Sequence, residues 1–222
     1  MKRRISFLLA LIMFLTIIPF NSYAGNYDKQ LKEAITRSKK LFSIGNEYDK
    51  FEQEISTRDG NVVFYLNWGD SKGKLGGISL TIAEDGTIMG LSKWKPGYEE
   101  RKPQLPKISK EEGLEIAEEF IKKASPKFAD SIKYVDLSEP LNINSGSYGY
   151  YFVRNENGIS FDYNNLDIHI DNSTGEVMNY YANWDMDLVF PDSKDIISLD
   201  KAEKIFKEEI GLDLLYKTVY PN

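Results

Sequence analysis

Cysteine is absent from all 222 residues, and histidine occurs once, at position 169. The first absence removes disulfides, thiol nucleophiles, Cys-ligated zinc and a lipid-bearing N-terminal cysteine. The second removes HExxH sites and any centre built on several histidines. GxSxG does not occur, so no serine sits in a nucleophile elbow. Basic residues are also short, 28 Lys and Arg against 34 Asp and Glu, which opposes nucleic acid and anionic lipid surfaces because both reward basic patches. Without disulfides, stability must come from core burial. The 12 Phe, 14 Tyr and 3 Trp can supply it, at roughly 150–250 Å² per aromatic side chain.

What is present begins with a leader. Lys2, Arg3 and Arg4 precede an apolar run from Ile5 to Phe20, and Ser22-Tyr23-Ala24 places small residues three and one positions before a cut. The run is shorter than the ~20 residues a spanning helix needs, and Pro19 interrupts its end. Residues 1–24 therefore read as a cleaved secretory signal rather than a membrane anchor, and the protein is expected to be secreted or associated with the cell wall. Cleavage would leave 25 basic and 34 acidic residues.

The remaining chain repeats itself. EDGTIMGLSKW (84–94) and DNSTGEVMNYYANW (171–184) share a turn glycine, an apolar pair, a methionine and a closing tryptophan. Gly86 and Gly175, Met89 and Met178, and Ile108-Ser109 and Ile197-Ser198 are each 89 residues apart. The offset is 88 just upstream, from Ile78, Leu80, Ile82 to Leu166, Ile168, Ile170, and 90 between Trp94 and Trp184. A period this long indicates repeated small domains rather than a solenoid. Helical spacing appears at Leu31, Ala34/Ile35 and Leu41/Phe42, at Leu114, Ala117, Phe120/Ile121 and Ala124, and at Leu199, Ala202, Ile205/Phe206 and Ile210. Ser109-x-x-Glu112 is a capping-box pattern. Between helices the period falls to two, at Val62, Phe64, Leu66 and at Tyr151, Val153, while Asp85-Gly86 and Thr174-Gly175 mark hairpins.

The fold class expected is α+β, in tandem units of one helix packed on a roughly four-stranded antiparallel sheet. Their bounds are 25–107 and 108–196, with 197–222 as the start of a third unit, a helix plus a strand at Leu212 and Leu214. That helix either docks on the second unit as a cap or begins a shortened array. The Pro-rich stretch 93–107 and the segment 185–195 read as linkers.

Asn157-Gly158-Ile159, the strand ending Ile168-His169-Ile170-Asp171, Thr174-Gly175-x-Val177-x-x-Tyr180, Trp184, Phe190-Pro191, Ile197-Ser198, Ala202 and Gly211-Leu212-x-Leu214-x-Tyr216 resemble the YcdB/YcdC repeat, a group similar to PepSY-type domains. The first unit resembles it more loosely. The resemblance implies a repeated helix-on-sheet unit in exported or wall-associated bacterial proteins. It also implies, from PepSY domains in peptidase propeptides, inhibition or chaperoning of a peptidase.

His169 points opposite the two flanking isoleucines and matches Thr81, an exposed strand position rather than a general base. Asp185, Asp187, Asp192 and Asp195 form an acidic segment that reads as a solvated linker, with calcium as the other option. No residue is assigned to catalysis, a cofactor or a metal. If Tyr151 faces the helix with Val153, then Tyr148 and Tyr150 face away, as does one of Tyr180 and Tyr181. Tyr148, Tyr150, Tyr180 and Tyr181 are thus the candidate ligand contacts, whereas Trp94 and Trp184 are expected to anchor the core. The function expected is a non-enzymatic exported module that binds a protein, a secreted peptidase or a wall component, through its sheet edge or outward tyrosines. The alternatives are a cell-wall polysaccharide binder using those aromatics and, remotely, a carboxylate-dependent glycoside hydrolase.

Overall fold

The structure is a computed structural model that describes residues 27–58, 60–98, 102, 104–137, 145–192, 194, 196–211 and 216. The leader 1–24, Asp195, Leu212 and Leu214 lie outside them. Helix α1 (Asp28–Leu41) precedes β1 (Lys50–Arg58), β2 (Asn61–Gly69), β3 (Gly77–Ala83) and β4 (Ile88–Trp94). Then come α2 (Lys110–Ala124), the short α3 (Pro126–Ala129), β5 (Ile132–Val135), β6 (Ser147–Glu156), β7 (Ile159–Asp171), β8 (Val177–Asn183) and α4 (Leu199–Ile205).

The helices form where the apolar spacing places them. On α1, Leu31, Ala34 and Ser38 are buried along one stripe. On α2, Ala117, Ile121 and Ala124 are buried, and both halves of the capping box are made: Glu112 N donates to Ser109 Oγ at 3.1 Å and Ser109 N to Glu112 Oε2 at 2.7 Å. The two helices cover one face of the sheet and share one continuous core with Phe64, Leu66, Leu80, Leu91, Ile168 and Tyr180. Arg37 of α1 ties them together, donating to the carbonyls of Lys123 and Ala124 at the end of α2, each at 3.1 Å, and to that of Gly86.

The α+β class is as expected, but the sheets are not separate. Among the described residues there is one antiparallel sheet of eight strands in the order β1-β2-β3-β4-β8-β7-β6-β5. The first four strands and the last four meet edge to edge at β4 and β8, where Leu91 faces Tyr180, Gly90 faces Tyr181 and Ser92 faces Asn179. Leu91 and Tyr180 are 89 residues apart, so the junction pairs positions that the sequence period equates. Register shifts fall between Thr81 and Ile82 in one half and between His169 and Ile170 in the other, 88 residues on. Exposed edges favour uncontrolled association, and joining β4 to β8 removes one from each half.

Two other expectations are corrected. Tyr150, not Tyr151, faces the helices, because Tyr150 pairs with Ile168 and Phe152 with Leu166 on the core side while Tyr151 pairs with Asp167 on the other. Trp94 is 57% exposed, whereas Trp184 packs against the core with its ring 4.3 Å from that of Phe128. Their spacing explains the difference: in a strand of period two, 90 residues where the scaffold repeats at 89 places the two rings on opposite faces. Helix α4 is capped by Ser198, runs into a π-helical turn (Phe206–Ile210) and buries none of its residues.

Candidate functional site

The helices cover one face of the sheet, and alternation sends every second side chain of the central strands to the other. Two registered rows cross that open face. One runs Tyr65, Thr81, Gly90, Tyr181, Asp167 and Tyr151; the next runs Asn67, Ser79, Ser92, Asn179 and His169. Where they cross β2, β3, β4, β8 and β7 they line a shallow depression of about 480 Å³. Gly90 forms its floor: a Cβ there would lie 3.3 Å from the Thr81 side chain. Tyr65 is half-buried, Tyr181 is 48% exposed, and Asn67, Ser79, Ser92 and Asn179 are exposed. Asp167 and His169 share the face two residues apart, with Nε2 to Oδ1 at 3.3 Å. They occupy the positions that Ser79 and Thr81 hold in the first half, 88 residues earlier.

The four candidate tyrosines therefore separate. Tyr150 is 1% exposed and donates to the Lys110 carbonyl at 2.8 Å. Tyr180 is 2% exposed and donates at 3.0 Å to Ser125 Oγ, which donates in turn to the Ile88 carbonyl at 2.5 Å. Burial pushes both phenols far above their ordinary range. Tyr148 is half-buried on the helix side and donates to the Ile108 carbonyl at 3.1 Å, and burial raises its phenol too. Tyr181 alone reaches the open face. Tyr65, Asn67, Ser79 and Asn179 were not singled out from the sequence. The signal was available, because placing Val62, Phe64 and Leu66 on the core side puts Tyr65 and Asn67 on the other.

A second feature is the sheet edge. β1 supplies nine residues, pairs with β2 from Lys50 to Arg58, and ends the sheet on that side. Seven of its residues are exposed, Lys50, Glu52, Glu54 and Arg58 among them. The opposite edge, β5, has four residues.

Other charged groups tie segments together. Burial raises the Glu176 carboxyl, but Lys93 at 2.8 Å and Lys95 outweigh it and hold the group below the usual range. This cluster binds the first half to the turn before β8. In the acidic segment, Asp185 Oδ1 accepts from the Asp187 amide and Asp192 Oδ1 from the Lys194 amide. Among the described residues no three Asp, Glu, His or Cys side chains converge as a metal site, and no helix is long and apolar enough to cross a membrane.

The family described as "YcdB, YcdC repeated domain" matches residues 31–184. The chain belongs to this family. Among solved structures, the C-terminal domain of YpeB from Bacillus megaterium is similar at 17% identity and a TM-score of 0.53, over 78% of this chain and 72% of that one. At that identity the likeness speaks to the fold, a PepSY-like helix-on-sheet arrangement. No curated protein matches the chain. The family match ends at Trp184, the half-buried ring on Phe128, so it spans all eight strands and leaves α4 outside.

Proposed function

We propose that this chain is an exported, non-enzymatic module that binds another protein along edge strand β1, the partner being a secreted peptidase or a wall-associated protein. The observation that carries this reading is the edge: nine residues at one end of an eight-stranded sheet, whose alternate amides and carbonyls point away from β2, toward the place a peptide added as a ninth strand would take. Its charges suit a selective role, since Lys50, Glu52, Glu54 and Arg58 oppose indiscriminate edge-to-edge pairing. The likeness to PepSY-type domains supports a protein partner, and the leader over 1–24 supports export. The symmetric β4–β8 junction supports origin of 25–107 and 108–196 from one duplicated unit.

A binding role also fits the only histidine. The nearest hydroxyl in its row, Ser92, lies beyond Asn179, two strand spacings or about 10 Å away. A serine nucleophile paired with this histidine would have to lie within about 2.6–3.2 Å of it.

Consecutive residues of a strand direct their amides to opposite sides. Of Gln53→Pro and Glu54→Pro, one therefore removes an outward amide and the other a ladder bond to β2. The variant that keeps the wild-type melting temperature should lose the partner recovered from culture medium, and with it any inhibition or protection of a co-secreted peptidase. Full partner binding by that variant refutes the edge as the contact.

A further inference from the structure

The open face carries a site of its own, distinct from the edge. Outside the depression several asparagines serve the fold: Asn164 accepts from Arg154, Asn165 donates to the Asp162 carbonyl, Asn172 to that of Ser145 and Asn183 to that of Tyr163, while Asn46, Asn61 and Asn155 stand singly without such a bond among the described residues. The two asparagines in the depression, Asn67 and Asn179, make no side-chain hydrogen bond among the described residues. Nor do the hydroxyls of Ser79, Thr81 and Ser92 beside them. A face kept polar only for solubility would carry lysine and glutamate, as β1 does. Among the described residues no lysine or arginine lines the depression, and the one carboxylate there, Asp167, lies against His169.

We propose that this depression binds a neutral oligosaccharide laid across the strands, with sugar rings against Tyr65 and Tyr181 and hydroxyls paired to the amides and hydroxyls between them. A sugar hydroxyl both donates and accepts, as do Ser, Thr and the Asn amide. Tyrosine offers an apolar ring face with a polar end. A phosphate or carboxylate ligand would need cations that the described lining of the depression lacks. An extended polypeptide satisfies its backbone along a sheet edge rather than across a face, which assigns the two surfaces to different ligands. Tyr65 and Tyr181 sit on β2 and β8 in one row, three strand spacings or about 14 Å apart. A ligand touching both is an oligomer, not a single sugar.

The test is calorimetric titration of the purified protein with tetramers of β-1,4-linked N-acetylglucosamine and of β-1,4-linked glucose, beside the two monosaccharides and a neutral tetrapeptide. At least one tetramer should bind saturably and more tightly than its monosaccharide. Tyr181→Ala and Asn179→Ala should each weaken it by about tenfold or more at an unchanged melting temperature. Tyr163→Ala, an exposed tyrosine outside the depression, should leave affinity unchanged, and so should the correctly folded β1 proline variant, which separates this site from the edge. Binding of neither tetramer, tighter binding of the tetrapeptide, or full affinity in both Tyr181→Ala and Asn179→Ala overturns the proposal.

Discussion

Tyr180 and Tyr181 are neighbours in sequence, and truncating them should have opposite consequences. Tyr180 is 2% exposed, with its ring 5.2 Å from that of Phe120 and its hydroxyl bonded to Ser125 at 3.0 Å. Removing a buried aromatic ring costs about 3–5 kcal/mol, and its net hydrogen bond about 1 kcal/mol more. Tyr180→Ala should therefore lose about 4 kcal/mol or more, a large share of the roughly 5–15 kcal/mol a domain possesses. Because that variant can fail to fold, Tyr180→Phe is the calibrated companion: the ring stays, the hydroxyl goes, and the loss should be about 1 kcal/mol. Tyr181 is 48% exposed on the other face, so Tyr181→Ala should stay within about 0.5 kcal/mol of wild type. Urea unfolding followed by circular dichroism measures all three, with an unchanged slope showing that the denatured state has not shifted. Equal destabilisation by Tyr180→Ala and Tyr181→Ala would refute the assignment of faces, and the open-face site with it.

Further outcomes follow from the same packing. Gly113→Ala should destabilise the protein by about 1–3 kcal/mol despite a helix-propensity gain of about 1 kcal/mol, because the new Cβ would fall 2.1 Å from the Tyr150 hydroxyl oxygen. Adding Tyr150→Phe should recover part of the loss, and thermal unfolding reads both. Glu176 has a folded pKa below its unfolded one, so its contribution is fully present above the ordinary carboxylate range and fades as pH falls through the depressed value. Glu176→Gln should cost about 1–2 kcal/mol at neutral pH and flatten the stability profile on the acid side, as denaturation across pH 3–7 would show. Trp94→Phe should remove most of the tryptophan emission quenched by acrylamide, because Trp68 is buried and Trp184 stacks on Phe128.

Local features were legible in the sequence where one residue decides one geometry. The capping box at Ser109 and Glu112 formed, and the apolar stripes of α1 and α2 became their buried faces. The turns at Asp85-Gly86 and Thr174-Gly175 join β3 to β4 and β7 to β8, with Gly86 and Gly175 both at positive φ. Non-local pairing was not legible. Nothing in β4 or β8 alone says that Gly90 will face Tyr181, so one eight-stranded sheet looked like two. Side-chain direction failed where two adjacent residues both suit a core. Tyr150-Tyr151-Phe152-Val153 is apolar in either phase, and only the pairing with Leu166 and Ile168 selects Tyr150 and Phe152. Residue type alone points Trp94 at the core, whereas its offset of 90 puts it out of phase with Trp184. α4 shows the limit of periodicity, which marks an apolar stripe without showing what covers it.

Hydrogen–deuterium exchange of the protein, free and bound to the partner recovered from culture medium, tests the central claim most directly. The account predicts that amides of 50–58 become protected on complex formation while those of α1 and α2 exchange as before. Protection confined to the helices or to β5, with β1 unchanged, would contradict it.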